Sequence, residues 1–226
     1  MNPAPFRVLV FDLDGTVVDS HRYTFDAFRF ACEPFRAPPT DAEVFAAFGP
    51  SEEVILGTLL PAAARASAYA RLQLYYATHA GRLAVHPAMR PLLGACRAAA
   101  LRCGLFTGRG ADSTRLVLAA LDLDWAFAAV VAGDQAARPK PAPDGLLRLL
   151  EELGGAPEEA LLVGDSSLDI EAARAAGVAA VFAGWHPWAG SVPPERVAVL
   201  DHPDALRPLV GLPPAGAADD PTAPAP

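Results

Sequence analysis

From His86 onward the chain alternates short apolar runs with amphipathic stretches, and this alternation leaves few folds open. Ala88 to Ala100 reads as a helix, Cys103 to Thr107 as a strand, Ser113 to Leu121 as a helix and Ala129 to Ala132 as a strand. A helix over Asp144 to Leu153 stops at Gly154-Gly155, and a strand follows at Leu161 to Val163. Another helix, Leu168 to Ala176, stops at Gly177 before a strand over Val178 to Phe182. A short strand near Val197 to Leu200 and a helix near Asp204 to Val210 complete the series. Strands and helices in this order pair as a parallel sheet, with right-handed crossovers that put helices on both faces. Near the start, Val8-Leu9-Val10 adds a strand apolar on both sides, as the interior of such a sheet requires. The expected class is α/β.

Residues 21–82 break the alternation and read as helical throughout. Phe25, Phe28 and Cys32 recur at helical spacing in a first helix, which Pro34, Pro38 and Pro39 end. Thr40 or Asp41 caps a second helix with Glu43 in its first turn, and the loop Phe48-Gly49-Pro50-Ser51 leads to a third. Pro61 to His79 is a fourth, with Tyr69, Leu72, Tyr76 and His79 on one face; this face is expected to be core, with His79 a helix-end residue rather than a ligand. The expected organisation is a core of residues 1–20 and 83–210, an all-helical cap of residues 21–82, and a Pro- and Ala-rich tail, 211–226, expected to be disordered. Connectivity alone places the cap near the carboxyl end of the first strand, where a lid would sit.

Apolar residues make up 52% of the 226 positions, enough for a sizeable core, and charged residues 19%. The net charge of −8 argues against nucleic acid or an anionic membrane surface as partner, but leaves room for a phosphorylated substrate at a locally cationic or metal-bearing site. Cys32, Cys96 and Cys103 form neither a disulfide framework nor a zinc pattern. No apolar run is long enough to span a membrane, and no secretory leader is apparent, so a soluble cytoplasmic protein is expected.

Four strand ends carry residues suited to phosphoryl transfer. Asp12 and Asp14 follow the first strand and, in extended chain, point to the same side, with Gly15 allowing a sharp turn. Asp12 is the candidate nucleophile, and Asp14 the candidate acid that protonates a leaving oxygen and then activates water. That second role calls for a pKa nearer neutrality, which close carboxylates are expected to supply. Thr107, before Gly108 and a helix N-terminus, offers a hydroxyl and backbone N–H groups to an anion. Lys140 lies in the proline-rich run Arg138 to Pro143, which would hold its ammonium beside a phosphate. Asp165 ends a fourth strand, with Asp169 in the next helical turn; carboxylates from separate loops suit Mg²⁺. Each feature alone reads as well as a polar turn, a solvated Lys or a helix-end carboxylate; the four together, in this order, do not.

With these residues in view the chain resembles the haloacid dehalogenase superfamily. The matches are Asp12-Leu13-Asp14-Gly15-Thr16, Thr107, Lys140 in Lys-Pro-x-Pro, and Gly164-Asp165 through Asp169, covering about residues 6–185. The resemblance implies a Rossmann-like three-layer core with a helical cap inserted after the first motif. It also implies Mg²⁺ held by Asp12, the backbone carbonyl of Asp14, and Asp165, with Asp169 a further acidic residue of the metal region. Thr107, Gly108 and Lys140 would bind the phosphoryl group. Asp19-Ser20 and Phe48-Gly49-Pro50 look like the phosphoglycolate phosphatases and related pyrophosphatases. His86-Pro87 departs from the Pro-Gly often found there, and Thr107-Gly108-Arg109 stands where phosphoglycolate phosphatases commonly have Thr-Asn-Lys.

The expected activity is a Mg²⁺-dependent phosphatase acting on a small, phosphoglycolate-like phosphomonoester, as a monomer or homodimer. Inorganic pyrophosphatase and sugar phosphomutase share the motifs and are the alternatives. A 2-haloacid dehalogenase has no need of Asp14 or a Mg²⁺ cluster, and a non-catalytic relative would be expected to have lost a motif residue. Specificity is expected from His21, Gly49, Ser51 and Arg109, with the cap residues Arg22, Arg65 and Arg71 as further candidates.

Overall fold

The computed structural model describes residues 6–186 and 197–216. Strand β1 (Val8–Phe11) leads through a tight turn to β2 (Val18–Asp19) and then to four helices, α1 (His21–Cys32), α2 (Asp41–Ala46), α3 (Glu52–Leu59) and α4 (Ala62–Thr78). The chain returns through β3 (Ala84–Val85) to α5 (Met89–Ala98), β4 (Arg102–Phe106), α6 (Ala111–Ala120) and β5 (Ala129–Val131). Helix α7 (Asp144–Leu153), β6 (Ala160–Gly164), α8 (Ser167–Ala176), β7 (Ala179–Ala183) and β8 (Ala198–Leu200) follow.

Six strands form one parallel sheet in the order β5-β4-β1-β6-β7-β8. β1 lies between β4 and β6, with Val10 opposite Gly104 on one side and Leu162 on the other, and all four of its residues are buried. The chain steps outward from β1 to β4 and β5, then crosses to β6 on the other side. The carboxyl end of β1 is therefore the point where strand order reverses, and a crevice opens there in such sheets.

Alternate residues face two apolar clusters, which accounts for the unbroken hydrophobic runs in the sequence. Val8, Val10, Phe106 and Leu162 pack with Leu146, Leu149 and Leu150 of α7 and Ala172 and Ala173 of α8. Leu9, Phe11, Leu105 and Val163 face Leu92, Leu93 and Cys96 of α5 and Leu206, in a cluster that continues into Tyr23, Phe28, Leu72 and Tyr76 of the helical insertion. Helix ends follow their predicted signals. Thr40 and Glu43 form a reciprocal capping box on α2, and Gly154 and Gly177 end α7 and α8 in left-handed conformation.

Two features depart from expectation. The stretch near Asp204 to Val210 is a 3-10 helix, Pro203–Val210, because Pro208 inside it has no N–H and its ring crowds the preceding turn. The two chain crossings into and out of the helical insertion are also paired, β2 with β3 as an antiparallel ribbon with Val18 opposite Val85. Of the tail expected to be disordered, Gly211 ends the 3-10 helix and residues 211–216 are described; 217–226 lie outside the described residues. No helix among the described residues is long and apolar enough to cross a membrane.

Candidate active site

At the carboxyl ends of β1, β4 and β6, under the helical insertion, or cap, lies a cavity of about 360 Å³. Its wall includes Asp12, Asp14, Thr107, Gly108, Lys140, Asp165 and Asp169, so the four strand-end signals, far apart in sequence, meet in one place. His21, Gly49 and Arg109 also line it. Ser51 does not: it is buried at the N-cap of α3, outside the wall.

Lys140 is the centre of the buried charge. Its Nζ donates to Asp12 Oδ1 at 2.7 Å, to Asp169 Oδ1 at 2.6 Å and to the Phe106 carbonyl at 2.8 Å. Burial alone would lower the Lys140 pKa, but Asp12 and Asp169 outweigh it and hold the ammonium charged. Asp169 keeps its helix-end role as well: its other oxygen accepts from Ser166 N and Oγ at 3.2 and 2.5 Å, closing a capping box on α8.

Asp12, Asp165 and Asp169 offer carboxylate oxygens all within 4.8 Å of one another. Burial pushes Asp12 up to about 7, with Asp169 and Asp14 adding to the rise and Lys140 opposing it. Asp165 is raised well above the usual range by burial and by its neighbours Asp12 and Asp169. Three buried carboxylates share one ammonium, so ionising all of them would leave negative charge uncompensated in a closed space, and hard oxygen donors in that setting fit a divalent cation such as Mg²⁺. Gly15 keeps the site tight: it stands at φ 82, and a Cβ there would lie 2.1 Å from Asp165 Oδ2.

Asp14 behaves differently from the expectation that close carboxylates would raise it. Burial does push it up, but the Arg109 charge and hydrogen bonds, with Ser20, outweigh that and hold its carboxyl below the usual range. Arg109 forks onto it, Nε to Oδ2 at 3.0 Å and Nη2 to Oδ1 at 2.6 Å, while Ser20 Oγ donates to Oδ1. The cluster of carboxylates suited to a cation accordingly does not include the Asp14 side chain. Thr107 is buried beside this loop, its Oγ1 accepting from Arg109 N at 3.1 Å, and Gly108 lies where a Cβ would meet the Gly49 carbonyl of the cap at 2.6 Å.

Other cap residues sort by contact. His21 is buried, its pKa lowered chiefly by burial, with Nε2 3.9 Å from Asp165 Oδ2. Arg22 is exposed and paired with Asp26; Arg65 donates to the Leu60 and Gly57 carbonyls, and Arg71 to the Phe30 carbonyl. None of the three is in the cavity wall. Sequence reasoning missed Glu52, a cavity-lining carboxylate only 4% exposed, and Asp134, which accepts from Ala111 N at the start of α6. It also missed Phe45, Phe48, Ile55 and Leu168, which make part of the wall apolar.

The family model for haloacid dehalogenase-like hydrolases matches residues 9–183. A phosphoglycolate phosphatase of Rhodospirillum rubrum is 34% identical over 188 residues, covering 77% of this chain and 78% of that protein. The phosphoglycolate phosphatase of Escherichia coli strain K12 is 32% identical over 201 residues, covering 77% and 80%. In fold, the crystal structure of a predicted phosphoglycolate phosphatase from Haemophilus somnus superposes with a TM-score of 0.77 at 23% identity, covering 89% of this chain and 96% of that one. With its strand-end carboxylates, lysine and threonine gathered in one cavity, the chain belongs to the haloacid dehalogenase-like hydrolase family and is an enzyme of its phosphatase kind.

Proposed function

We propose that the protein is a Mg²⁺-dependent phosphatase that hydrolyses a small phosphomonoester, of the phosphoglycolate type its relatives' names indicate, through an aspartyl phosphate on Asp12. The observation that carries this reading is the bridge Asp12–Lys140–Asp169 beside Asp165 in a buried cavity. It supports the reading because a carboxylate able to act as nucleophile, a fixed cation and further oxygen donors lie together there. Asp12 and Asp165 would hold the ion, with the Asp14 backbone carbonyl as a further ligand and Asp169 reaching it directly or through water. When bound, Mg²⁺ neutralises phosphate charge and lets Asp12 face the phosphorus ionised.

In the first step a carboxylate oxygen of Asp12 bonds to phosphorus and the ester P–O bond breaks; the leaving alkoxide takes its proton through Asp14, which Arg109 and Ser20 hold ionised and which must therefore first accept that proton from solvent. In the second, a water oxygen bonds to phosphorus, the bond to Asp12 breaks, and Asp14 accepts the water's proton. Thr107 and the backbone at Gly108 hold the phosphoryl oxygens, and the Lys140 ammonium, its N–H groups given to Asp12, Asp169 and the Phe106 carbonyl, attracts them by its charge. The cap of residues 21–82 excludes bulk water while this happens. His21, Gly49 and Arg109 face the leaving group from the cavity wall. The enzyme acts in the cytoplasm as a monomer or homodimer, its three cysteines kept as buried free thiols.

The test is a panel of phosphomonoesters with pyrophosphate, assayed with and without Mg²⁺ on wild type and Asp12→Asn. Turnover that requires both Mg²⁺ and Asp12 is expected, with 2-phosphoglycolate favoured over pyrophosphate. Activity surviving in Asp12→Asn would sink the mechanism.

A further inference from the structure

Arg109 is the link between the cap and the catalytic carboxylates. Its backbone belongs to the core loop after β4, and its Nε and Nη2 hold both oxygens of Asp14. Its other guanidinium contacts come from three separate cap helices. Thr24 Oγ1 of α1 accepts at 2.9 Å, Glu52 Oε1 of α3 at 3.4 Å, and the Tyr76 ring of α4 lies 4.6 Å from the guanidinium carbon. Glu52 is the anchor of the three. Two core groups also donate to it, Gly110 N at 2.7 Å and Ser113 Oγ at 2.5 Å. A carboxylate this deeply buried is tolerated only with its donors in place, and all three donors are on the core while Glu52 is on the cap. The arrangement therefore exists only with the cap shut. Opening the cap takes Thr24, Glu52 and Tyr76 away from Arg109 together.

We propose that Arg109 is a positioning residue that ties cap closure to the orientation of Asp14, with Glu52 as its anchor, so that Asp14 is aimed at the hydrolytic water only when the cap is shut. This rests on the aspartyl-phosphate reading above. The step concerned is the second one: water oxygen bonds to phosphorus, the electron pair of the breaking P–O bond returns to Asp12, and the water proton passes to Asp14. An Arg109 without its cap contacts holds the Asp14 carboxylate less firmly, with Ser20 Oγ as the other donor, and a reacting group misplaced by about 1 Å can cost on the order of 100-fold.

p-Nitrophenyl phosphate is the probe, because its leaving phenolate needs no proton. With it, kcat/KM reports transfer to Asp12, and kcat reports release from Asp12 once that step is slow. For Glu52→Gln, kcat and KM are expected to fall together by roughly 10- to 100-fold, with kcat/KM within about threefold of wild type. A burst of p-nitrophenolate and an acid-stable phosphoenzyme should accompany the fall, and Glu52→Asp should restore part of kcat. Ser113→Ala, which removes one core donor to Glu52, should show the same pattern more weakly and carries the test if Glu52→Gln does not fold. Equal losses in kcat and kcat/KM without a burst, or no change at all, would overturn the proposal. Turnover persisting in Asp12→Asn would instead remove the reading beneath it.

Discussion

Gly15 shows how little space the site leaves around its charges. Its φ of 82 is strained for any residue with a Cβ, and the position that atom would take is already filled by Asp165 and the His21 ring. Gly15→Ala should therefore displace Asp165, with kcat/KM falling about 100-fold while the protein still melts cooperatively. Arg65→Ala should act in the opposite sense. Arg65 donates to two carbonyls at the end of α3, away from the cavity, so its loss should cost about 1–2 kcal/mol in urea unfolding and leave KM unchanged. At this scale Asp12, Thr107 and Asp165 were legible because each follows an apolar strand directly, Asp14 because it stands two residues beyond Asp12, and Lys140 because prolines frame it. Glu52 was not. It and Glu53 sit side by side in the first turn of α3, and nothing local marks one as buried and the other as exposed. Arg109 was visible as a residue, but its hold on Asp14 depends on hydrogen-bond partners 57 to 95 positions away and on the Tyr76 ring.

Among the elements, α2 depends most on its cap. It is six residues long, too short to hold by propagation, and it carries Phe45 to the cavity. Removing the Thr40 hydroxyl that accepts from Glu43 N should cost about 1 kcal/mol and lower Tm by roughly 2–4 °C. Thr40→Ser, which keeps the acceptor, should recover most of it. Helices were readable from sequence where a chemical signal marks an end, as at Thr40, Gly154 and Gly177. The β2–β3 ribbon was not readable, since two-residue strands carry no period and pair only because the cap brings residues 18–19 and 84–85 together. The final 3-10 helix shows a propensity signal misread: the apolar spacing was helical, but Pro208 decided the winding.

For the molecule as a whole, pH and metal should be linked. Asp12 is raised from 3.8 to about 7 in the metal-free fold, so the stability carried by its protonated form is present below about 4 and lost as pH rises through about 7. A cation must displace that proton to bind. The rise in Tm produced by saturating Mg²⁺ should accordingly grow from pH 5 to pH 7 and level off above, as differential scanning fluorimetry at matched ionic strength would show. A Tm rise independent of pH over that range would mean that the ion sits elsewhere. The alternating half of the chain made a parallel sheet predictable, but not its strand order, and the enclosure of the site depends on the cap lying over β1, β4 and β6, a long-range contact that periodicity does not encode.

The ribbon of β2 and β3 changes what kind of object the cap is. Because the strand entering it at Val18 and the strand leaving it at Val85 are bonded side by side, residues 20–83 form a loop whose ends are already closed. The entropy of bringing those ends together is met at the ribbon, and it grows only slowly with the length between them. The ribbon alone would accept an insertion of another length, but one without Tyr23, Phe28, Leu72 and Tyr76 would open the apolar cluster they share with the sheet. Two crossings held as a pair also share one axis, so any turn of the inserted unit would be about that ribbon. The carboxylates and the lysine of the cavity thus belong to one part of the chain, and most of its apolar wall, Phe45, Phe48 and Ile55, to the other.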